Sequence, residues 1–471
     1  MLIHSVASDR AHNTDTQFVT LDITDYYLGA PLDRYEYVRI PVRDLPDDIM
    51  DEFNLHQYVH NGAVLFEIRK CIYGLPQAGA ISQKRLVEQL NKHGYSSNPN
   101  VPCLFFNQAK TMFFTLVVDD FAVKAQIPGG VEHLVGVIEA LGYHVKVDWT
   151  GRNGVYKYIG YDIKFNDKEQ TVTLAMPDYV PKLIARFCPH EMPKFVASPE
   201  VYTPPIYGST QPQQETVDDT TPLTTEELKH VQEIIGAAQY YARGIDYTAY
   251  TAANNIASNM STPTAKTKAA AERLLAYMVW HPDHTLVYHA CDMILHIQSD
   301  ASYLTRTGSR SVAGGIHFLS DADGKLNGLL QVVSKILPTV CSAVSEAEYG
   351  AMFINGQTAV FTREALEVLG YTQPPTGIQT DSDIAQKITN GTCKLKKSKA
   401  IAMRYHWIRD RVKQGQFRVY WAPGLSNIAD FFTKALPVNR FEELASKVVS
   451  NYKPRCNKTL ARFKITGVSK P

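Results

Sequence analysis

Two adjacent carboxylates, Asp119 and Asp120, interrupt an apolar stretch over residues 113–123. The β-branched and aromatic residues on both sides predict a strand, a tight turn and a second strand. Asp is ordinary at turns because its side chain binds nearby backbone amides, so a purely structural role stays open. Side-by-side carboxylates repel each other unless a cation lies between them, and Mg²⁺ prefers a few carboxylates plus water and phosphate oxygens. The pair therefore predicts a magnesium site that needs a further acid from elsewhere in the chain.

Asp22 can supply that acid, because it lies at the end of a predicted buried strand over residues 18–23. Three converging carboxylates could hold two metal ions. One would lower the pKa of an attacking hydroxyl and the other would steady a leaving pyrophosphate. The run YGLPQ at residues 73–77 precedes a predicted helix over residues 81–92. A loop that leads into a helix N-terminus beside basic residues suits contact with phosphate or base.

A second set of acids lies at the edges of predicted elements: Asp300, Glu346, Glu348, Asp381 and Asp430. The pattern from residue 294 onward is a series of strands followed by alternating helices and strands, which predicts an α/β layer fold. Four of these acids could meet at one side of its sheet and bind metal. Each one alone is equally compatible with a helix cap or a turn.

The middle of the chain is predicted to connect these two regions. Residues 189–223 are rich in Pro, Thr, Gln and Ser and form the clearest linker. Thr224 and Glu227 have the spacing of a capping box that opens a helix to about residue 243. Two further helices are predicted near residues 247–260 and 264–280. We expect Arg243 and Asp246 to pair structurally or to contact a nucleic-acid backbone.

Composition sets limits on the class of protein. The 471 residues are 45% hydrophobic and 20% charged, with a net charge of +1, which is ordinary for a globular protein of several domains. The 7 cysteines form no CxxC pair, which argues against structural zinc and against a disulfide framework and fits a reducing compartment. We find no signal peptide or long apolar run, and therefore predict an intracellular protein without a membrane partner.

Basic residues concentrate in two places. One cluster lies near the second acidic set and comprises Lys394, Lys396, Lys397, Lys399, Arg404, Arg409 and Arg411. The other is the C-terminal stretch from residue 444, with Lys447, Lys453, Arg455, Lys458, Arg462, Lys464 and Lys470 and no acid. Both could neutralise phosphates, and both could be merely solvated.

The order of these motifs resembles the reverse transcriptase and RNase H of copia-type LTR-retrotransposon polyproteins, over nearly all of residues 15–437. The resemblance implies that Asp22, Asp119 and Asp120 are the polymerase acids and bind two Mg²⁺. Tyr27 would be the steric gate against a ribose 2′-OH, and Gln77 would contact the incoming nucleotide or the template. Val117 replaces the tyrosine that the family usually has two residues before the paired acids. The segment at residues 158–163 resembles the strand that holds the primer end.

The same resemblance assigns Asp300, Glu348, Asp381 and Asp430 as the RNase H acids, again with two Mg²⁺, or possible Mn²⁺. Glu348 is preferred to Glu346 because the run EYGA matches the family. Residues 422–427 lack the His that many RNases H carry, so water or Glu346 would shuttle protons. The expected substrates and partners are an RNA/DNA hybrid, an RNA template, a DNA primer and dNTPs. Lys394, Lys396, Lys397, Arg404 and Arg409 are the predicted phosphate contacts.

We therefore expect a multidomain α+β and α/β protein. Its expected parts are a partial polymerase palm and thumb (1–188, an antiparallel sheet with helices), a linker (189–223) and a helical connection (224–290). An RNase H-like mixed sheet with helices (291–437) and a basic tail (438–471) follow. Only 21 residues precede Asp22, so the fingers are expected to be missing, with cutting of hybrids favoured over polymerisation. The alternative is a degraded or domesticated remnant that binds nucleic acid as a non-catalytic scaffold. A cytoplasmic particle or the nucleus is the expected location.

Overall fold

The structure is a computed structural model and describes residues 1–204, 220–393 and 405–454. The chain forms two compact units. The first unit comprises Asp15–Ile159 together with Leu2, and the second comprises Met1, Ile3–Thr14 and Gly160–Pro471. The division at Ile159 therefore falls earlier in the chain than the boundary at residue 188 that the sequence suggested.

The strands of the described residues are β1 (Gln17–Thr24), β2 (Pro31–Pro41), β3 (Ala63–Lys70), β4 (Tyr95–Asn98), β5 (Val101–Asn107), β6 (Met112–Val117), β7 (Asp120–Ala125), β8 (His144–Asp148), β9 (Tyr156–Tyr158), β10 (Tyr161–Asn166), β11 (Thr171–Ala175), β12 (Thr285–His289), β13 (Ile294–Arg306), β14 (Arg310–Ser320), β15 (Leu329–Ile336), β16 (Thr376–Thr380) and β17 (Phe417–Trp421).

The α-helices are α1 (Leu2–Arg10), α2 (Asp47–Glu52), α3 (Ala78–Lys92), α4 (Gly130–Glu139), α5 (Tyr179–Phe187), α6 (Thr225–Gly244), α7 (Tyr250–Ser258), α8 (Ala265–Trp280), α9 (Val344–Val368), α10 (Asp383–Thr389), α11 (His406–Lys413) and α12 (Val438–Val448). Within the described ranges, no helix has both the length and the apolar composition that a membrane span requires.

The first unit is built on a six-stranded sheet with the order β4-β5-β6-β7-β1-β8. The predicted hairpin is β6 and β7, which pair antiparallel around a turn at Val118 and Asp119. Strand β1 lies between β7 and β8 and is antiparallel to both. Helices α3 and α4 cover an apolar core that includes Val19, Phe114 and Leu134. The sheet therefore places the strand that ends near Asp22 beside the paired acids. Strands β2 and β3 form a separate antiparallel ribbon.

The second unit contains a small antiparallel sheet and the connection helices. Strand β11 pairs with β10 on one side and with β12 on the other. Residues 161–175 thus join strand 285–289, more than a hundred positions away, which is why the boundary lies before them. Thr224 and Glu227 form the predicted capping box of α6, with Glu227 N–H donating to Thr224 Oγ1 at 3.2 Å.

The second unit also contains a five-stranded sheet with the order β15-β14-β13-β16-β17. Strands β13, β14 and β15 are antiparallel neighbours, whereas β16 runs parallel to β13 and β17 runs parallel to β16. Helix α9 packs on one face, over a core that includes Leu295, Ile297 and Met352. This is the mixed sheet with helices that the sequence predicted, and the chain as a whole is a mixed α+β, multidomain protein.

Both chain ends differ from the sequence expectation. Residues 1–16 were expected to be polar and irregular, but α1 is a buried helix in which Val6 is fully covered and His4 Nε2 lies 2.8 Å from His289 O. Residues 438–454 were expected to begin a basic tail. Instead α12 buries Phe441, Leu444 and its other apolar residues, so a structured helix precedes any tail.

Candidate functional site

Asp300 lies in the central strand β13 and faces a turn formed by Ile428–Phe432. Gly314 stands opposite Asp300 in β14. A Cβ at Gly314 would lie 2.5 Å from Thr433 Cγ2 and 2.7 Å from Ala429 O, so only glycine lets this turn approach the sheet. Thr433 Oγ1 consequently reaches Asp300 and donates to Oδ2 at 2.9 Å. The Asp300 side chain is held in place and is 6% exposed.

Glu348 reaches the same place from the first turns of α9. Its Oε1 accepts a hydrogen bond from Ala301 N–H at 3.2 Å. Its Oε2 is buried and has no hydrogen-bond partner. Glu346 has a different role, because its Oε2 accepts hydrogen bonds from the backbone N–H and the hydroxyl of Ser342 at the start of the helix. The two glutamates are therefore distinguished by what they contact.

Asp381 follows β16, whose parallel pairing with β13 sets Gln379 opposite Gln298 and so brings the end of β16 beside Asp300, in the middle of β13. The carbonyl oxygen of Asp381 accepts a hydrogen bond from Trp421 Nε1 at 2.9 Å. A Cβ at Gly424 would lie 2.8 Å from Asp381 Oδ2, so this glycine also permits a close approach. Oxygen atoms of Asp300, Glu348 and Asp381 all lie within 4.8 Å of one another.

Asp430 lies in the Ile428–Phe432 turn and is paired with a cation, because its Oδ1 is 2.6 Å from Lys434 Nζ. It nevertheless shares the electrostatic environment of the other acids. Its charge raises the pKa of both Asp300 and Asp381. The structure therefore brings all four predicted acids into one neighbourhood, three of them within reach of a single ion.

The pKa values show how crowded this neighbourhood is. Burial, and then the charges of Asp430 and Asp381, raise the pKa of Asp300 to about 7. Burial, and then Asp300 and Asp381, raise the pKa of Glu348 well above its usual range. Burial lowers the pKa of Lys434, but the three aspartates raise it by more, so it stays above its ordinary value. Such a group of acids favours a bound cation.

In the first unit, Asp22 of β1 is paired in register with Asp120 of β7. Directly opposite residues present their side chains on the same face of a sheet, a few ångströms apart. Burial, and then the charges of Asp119 and Asp22, raise the pKa of Asp120. Asp22 Oδ2 also lies 3.9 Å from Lys146 Nζ. Within the described ranges these three acids do not each offer an oxygen within 4.8 Å of the other two, in contrast to Asp300, Glu348 and Asp381 of the second unit.

The turn that carries Asp119 has an unusual backbone. Val118 has φ of 60°, a region that β-branched residues avoid, and it is 42% exposed. Asp119 O accepts a hydrogen bond from Ile23 N–H at 3.1 Å, which ties the turn to the end of β1. Val117 is 39% exposed beside it. Strain of this kind is often found at functional sites.

Tyr27 and Gln77 lie on different elements of the first unit. The Tyr27 ring packs edge-on against Tyr73 at 4.9 Å between centroids. Gln77, which precedes α3, donates from Nε2 to Glu36 Oε1 at 3.1 Å. Tyr73 is 62% exposed, and burial and then Asp119 raise its pKa, which places it near the acids. Its side chain was missed as a site residue, although it opens the YGLPQ run.

The basic residues are only partly described. Lys394, Lys396, Lys397 and Arg404 lie outside the described residues. Arg409 is on α11, and its Nε is buried without a hydrogen-bond partner. Asp246 does not pair with Arg243. It contacts His284 Nδ1 at 2.8 Å and accepts from Thr248, in a buried network within the connection helices.

The strand order, with three antiparallel strands followed by two parallel ones and acids at one edge, defines an RNase H-like fold for the 294–421 sheet. No protein-family model matches the chain. Over 92% of its length, however, the chain is 21% identical to the "Retrovirus-related Pol polyprotein from transposon TNT 1-94" of Nicotiana tabacum. It is 24% identical over 91% of its length to the "Transposon Ty1-LR2 Gag-Pol polyprotein" of Saccharomyces cerevisiae.

These similarities confirm the resemblance to Ty1/copia-type retrotransposon polyproteins. The chain spans only 31% and 23% of the length of these two curated relatives. Among solved structures, the N-terminal RNase H domain of Rv2228c from Mycobacterium tuberculosis, fused to maltose binding protein, aligns with 33% of this chain and 97% of its own. The identity is 17% and the TM-score 0.23.

A structure of LC11-RNase H1 with an RNA/DNA hybrid aligns with 30% of this chain and 93% of its own. The identity is 15% and the TM-score 0.23. At these scores neither structure adds to the assignment, which depends on the strand order and the acids.

Proposed function

We propose that the second unit cuts the RNA strand of RNA/DNA hybrids by metal-dependent hydrolysis, as the RNase H part of a retrotransposon polyprotein. The observation that carries this proposal is the convergence of Asp300, Glu348 and Asp381 within 4.8 Å. The buried, unpaired Oε2 of Glu348 supports it, because a buried carboxylate oxygen without a donor needs a cation or a proton.

The protein orients the acids in a consistent way. In three of them the protein engages one carboxylate oxygen: Thr433 binds Asp300 Oδ2, Ala301 N–H binds Glu348 Oε1, and Lys434 binds Asp430 Oδ1. The fixed oxygen sets the direction in which the second oxygen points. Asp300, Glu348, Asp381 and Asp430 would hold the metal, and hard oxygen ligands of this kind suit Mg²⁺ or Mn²⁺.

The chemistry asks little else of the side chains. Bound Mg²⁺ would supply an activated water and charge stabilisation at the scissile phosphate. The chain holds the carboxylates in fixed positions before substrate arrives, and its basic surface, including Arg409, would bind the phosphates of the hybrid. Recognition of a hybrid would depend on its 2′-hydroxyls and groove shape and not on its sequence.

The test is Glu348→Gln, which removes one metal-facing charge and preserves the shape of the side chain. We expect RNA cutting to fall roughly a hundredfold or more and hybrid binding to change little. Glu367→Gln is the matched control, because Glu367 is exposed on the same helix and pairs only loosely with Arg363 at 3.8 Å. Undiminished cutting by Glu348→Gln would contradict the proposal.

For the first unit we propose a polymerase palm in which Asp22, Asp119 and Asp120 hold Mg²⁺, Tyr27 gates the sugar, and Gln77 contacts nucleotide or template. RNA template, DNA primer and dNTPs would be its substrates. Two observations favour the alternative, a palm that binds nucleic acid without polymerising. The three acids are less closely grouped than those of the second unit, and Asp22 lies near Lys146. Primer extension that is lost in Asp119→Asn would decide for polymerisation.

A further inference from the structure

The acidic cluster of the second unit contains a cation of its own. Lys434 Nζ lies 2.6 Å from Asp430 Oδ1. Its charge also lowers the pKa values of Asp300, Glu348 and Asp381, although burial and the neighbouring acids raise them by more. Lys434 is thus in electrostatic contact with all four acids. Without such a charge, four carboxylates in one place would repel one another strongly.

The backbone around Lys434 is fixed by its neighbours, so the lysine is not a freely moving surface residue. It follows Asp430 by four residues at the end of the Ile428–Phe432 turn, and the intervening Thr433 is buried and bound to Asp300. Lys434 also borders a small cavity with Pro199, Thr251 and Phe441. The side chain is half exposed, at 48%, so the ammonium group is held at the edge of the cluster with access to solvent.

We propose that Lys434 is a positioning residue that serves as the resident counter-ion of the metal-free cluster, and that a divalent ion competes with it for Asp430. This inference rests on the proposed metal site of the second unit. Lys434 keeps the four acids together before metal binds. It also weakens metal binding, because the incoming ion must displace the ammonium group from Asp430 or bear its repulsion.

Alternatively, the Lys434–Asp430 contact could be an ordinary surface ion pair. Lys447 and Glu443 form such a pair on α12, at 3.5 Å and with the same four-residue separation. Exposed pairs of this kind contribute little and have no effect on a distant ligand. The two lysines therefore make a matched comparison, in which the same substitution removes the same charge from an acidic cluster or from an exposed glutamate that Arg440 also pairs with, at 2.7 Å.

The experiment measures binding of Mg²⁺ to the full chain by titration calorimetry, without nucleic acid. Every sample carries Asp119→Asn, which weakens the proposed metal site of the first unit, and the second unit is wild type, Lys434→Met or Lys447→Met. Methionine keeps the apolar stem and removes the charge. We expect Lys434→Met to bind Mg²⁺ about tenfold more tightly, the scale of repulsion between a unit charge and a divalent ion a few ångströms apart in a water-like medium. Lys447→Met should match the wild type, and Lys434→Arg should stay close to it.

Thermal unfolding gives a second readout. Lys434→Met should unfold at a lower temperature than the wild type without metal, and should gain more from added Mg²⁺, because ligand stabilisation grows with affinity. Equal Mg²⁺ affinity in Lys434→Met and the wild type would overturn the inference while leaving the metal site intact. A variant that fails to fold even in Mg²⁺ would overturn it too. The proposed function itself would fail if the wild type bound no Mg²⁺, or if Asp300→Asn bound Mg²⁺ as tightly as the wild type.

Discussion

Gly314 and Thr433 touch so closely that any side chain at position 314 would force the turn beside Thr433 to shift. A Cβ there would lie 2.5 Å from Thr433 Cγ2, and Thr433 is the residue whose hydroxyl binds Asp300. Gly314 of β14 therefore controls the distance between β13 and the turn that carries Asp430. A single methyl group is enough to test this relation.

Gly314→Ala should push the turn away from the sheet and lengthen the Thr433–Asp300 hydrogen bond. We expect a loss of about 1–3 kcal/mol in the free energy of unfolding, the usual range for overpacking, and weaker Mg²⁺ binding. Gly236→Ala is the control, because a Cβ at exposed Gly236 on α6 meets nothing within 4 Å. Chemical denaturation and Mg²⁺ titration give the two readouts. Equal changes in the free energy of unfolding and in Mg²⁺ affinity in the two variants would contradict the role assigned to Gly314.

His317 should make the second unit sensitive to mild acid. The side chain is buried in β14 with Nε2 3.0 Å from Asn355 Oδ1, and burial lowers its pKa to about 4. The unfolded chain, with a His pKa near 6.5, then binds more protons than the folded chain between pH 6.5 and 4. Stability is therefore complete above pH 6.5 and is lost as the pH falls through this window.

Between pH 7 and pH 5 this one residue should remove about 2 kcal/mol from the free energy of unfolding. His317→Gln should flatten the pH dependence by that amount in urea unfolding, whatever its stability at pH 7. An identical slope in wild type and His317→Gln would show that the ring is already protonated when folded.

The RNase H-like region should not fold when cut out at the boundaries that the sequence suggested. Phe431, next to Asp430, stacks on Phe441 of α12 at 5.0 Å between ring centroids. Its carbonyl oxygen also accepts from Thr251 of α7 at 3.5 Å. A fragment of residues 291–437 lacks both partners, so it should lose cooperative unfolding and RNA cutting. A fragment of residues 224–454 keeps them. Full activity in the shorter fragment would refute this expectation.

Local signals explain what the sequence could predict. Apolar and β-branched runs predicted the strands that carry Asp22, Asp120 and Asp300, and the spacing of Thr224 and Glu227 predicted a helix start that the structure contains. Both kinds of signal depend on neighbours within a few positions. They also placed the acids near the ends of predicted strands and helices. Their meeting at one side of a sheet could therefore be expected.

Contacts between distant residues explain what the sequence could not predict. The pairing of β11 with β12 depends on register across more than a hundred residues, and no local pattern indicates it. The role of Gly314 requires knowledge of which turn lies over it. Two signals were available and missed. Thr433 and Lys434 follow Asp430 at helical spacing, and the apolar residues of α12 recur every three or four positions.

Polymerisation and cutting should separate by mutation, because their acids lie in different units. Asp119→Asn should leave RNA cutting unchanged, since the acids of the second unit come from β13, α9 and the segments after β16 and β17. Any primer extension should disappear with the same change. Gel assays on one hybrid substrate, with and without dNTPs, measure both activities. Loss of cutting in Asp119→Asn would mean that the two sites are not independent.

The basic C-terminal residues should contribute to hybrid binding through their charge. Truncation after residue 437 would remove α12 and test folding instead, because Leu444 and Val448 are buried. Truncation after residue 454 removes five basic residues and leaves α12 whole: Arg455, Lys458, Arg462, Lys464 and Lys470. Phosphate contacts release counterions, so each one steepens the fall of affinity with salt by just under one unit of log–log slope. If all five contact the backbone, the truncated chain should show a slope smaller by about four. An unchanged slope, measured by anisotropy over a salt series, would mean that these residues are solvated and touch no phosphate.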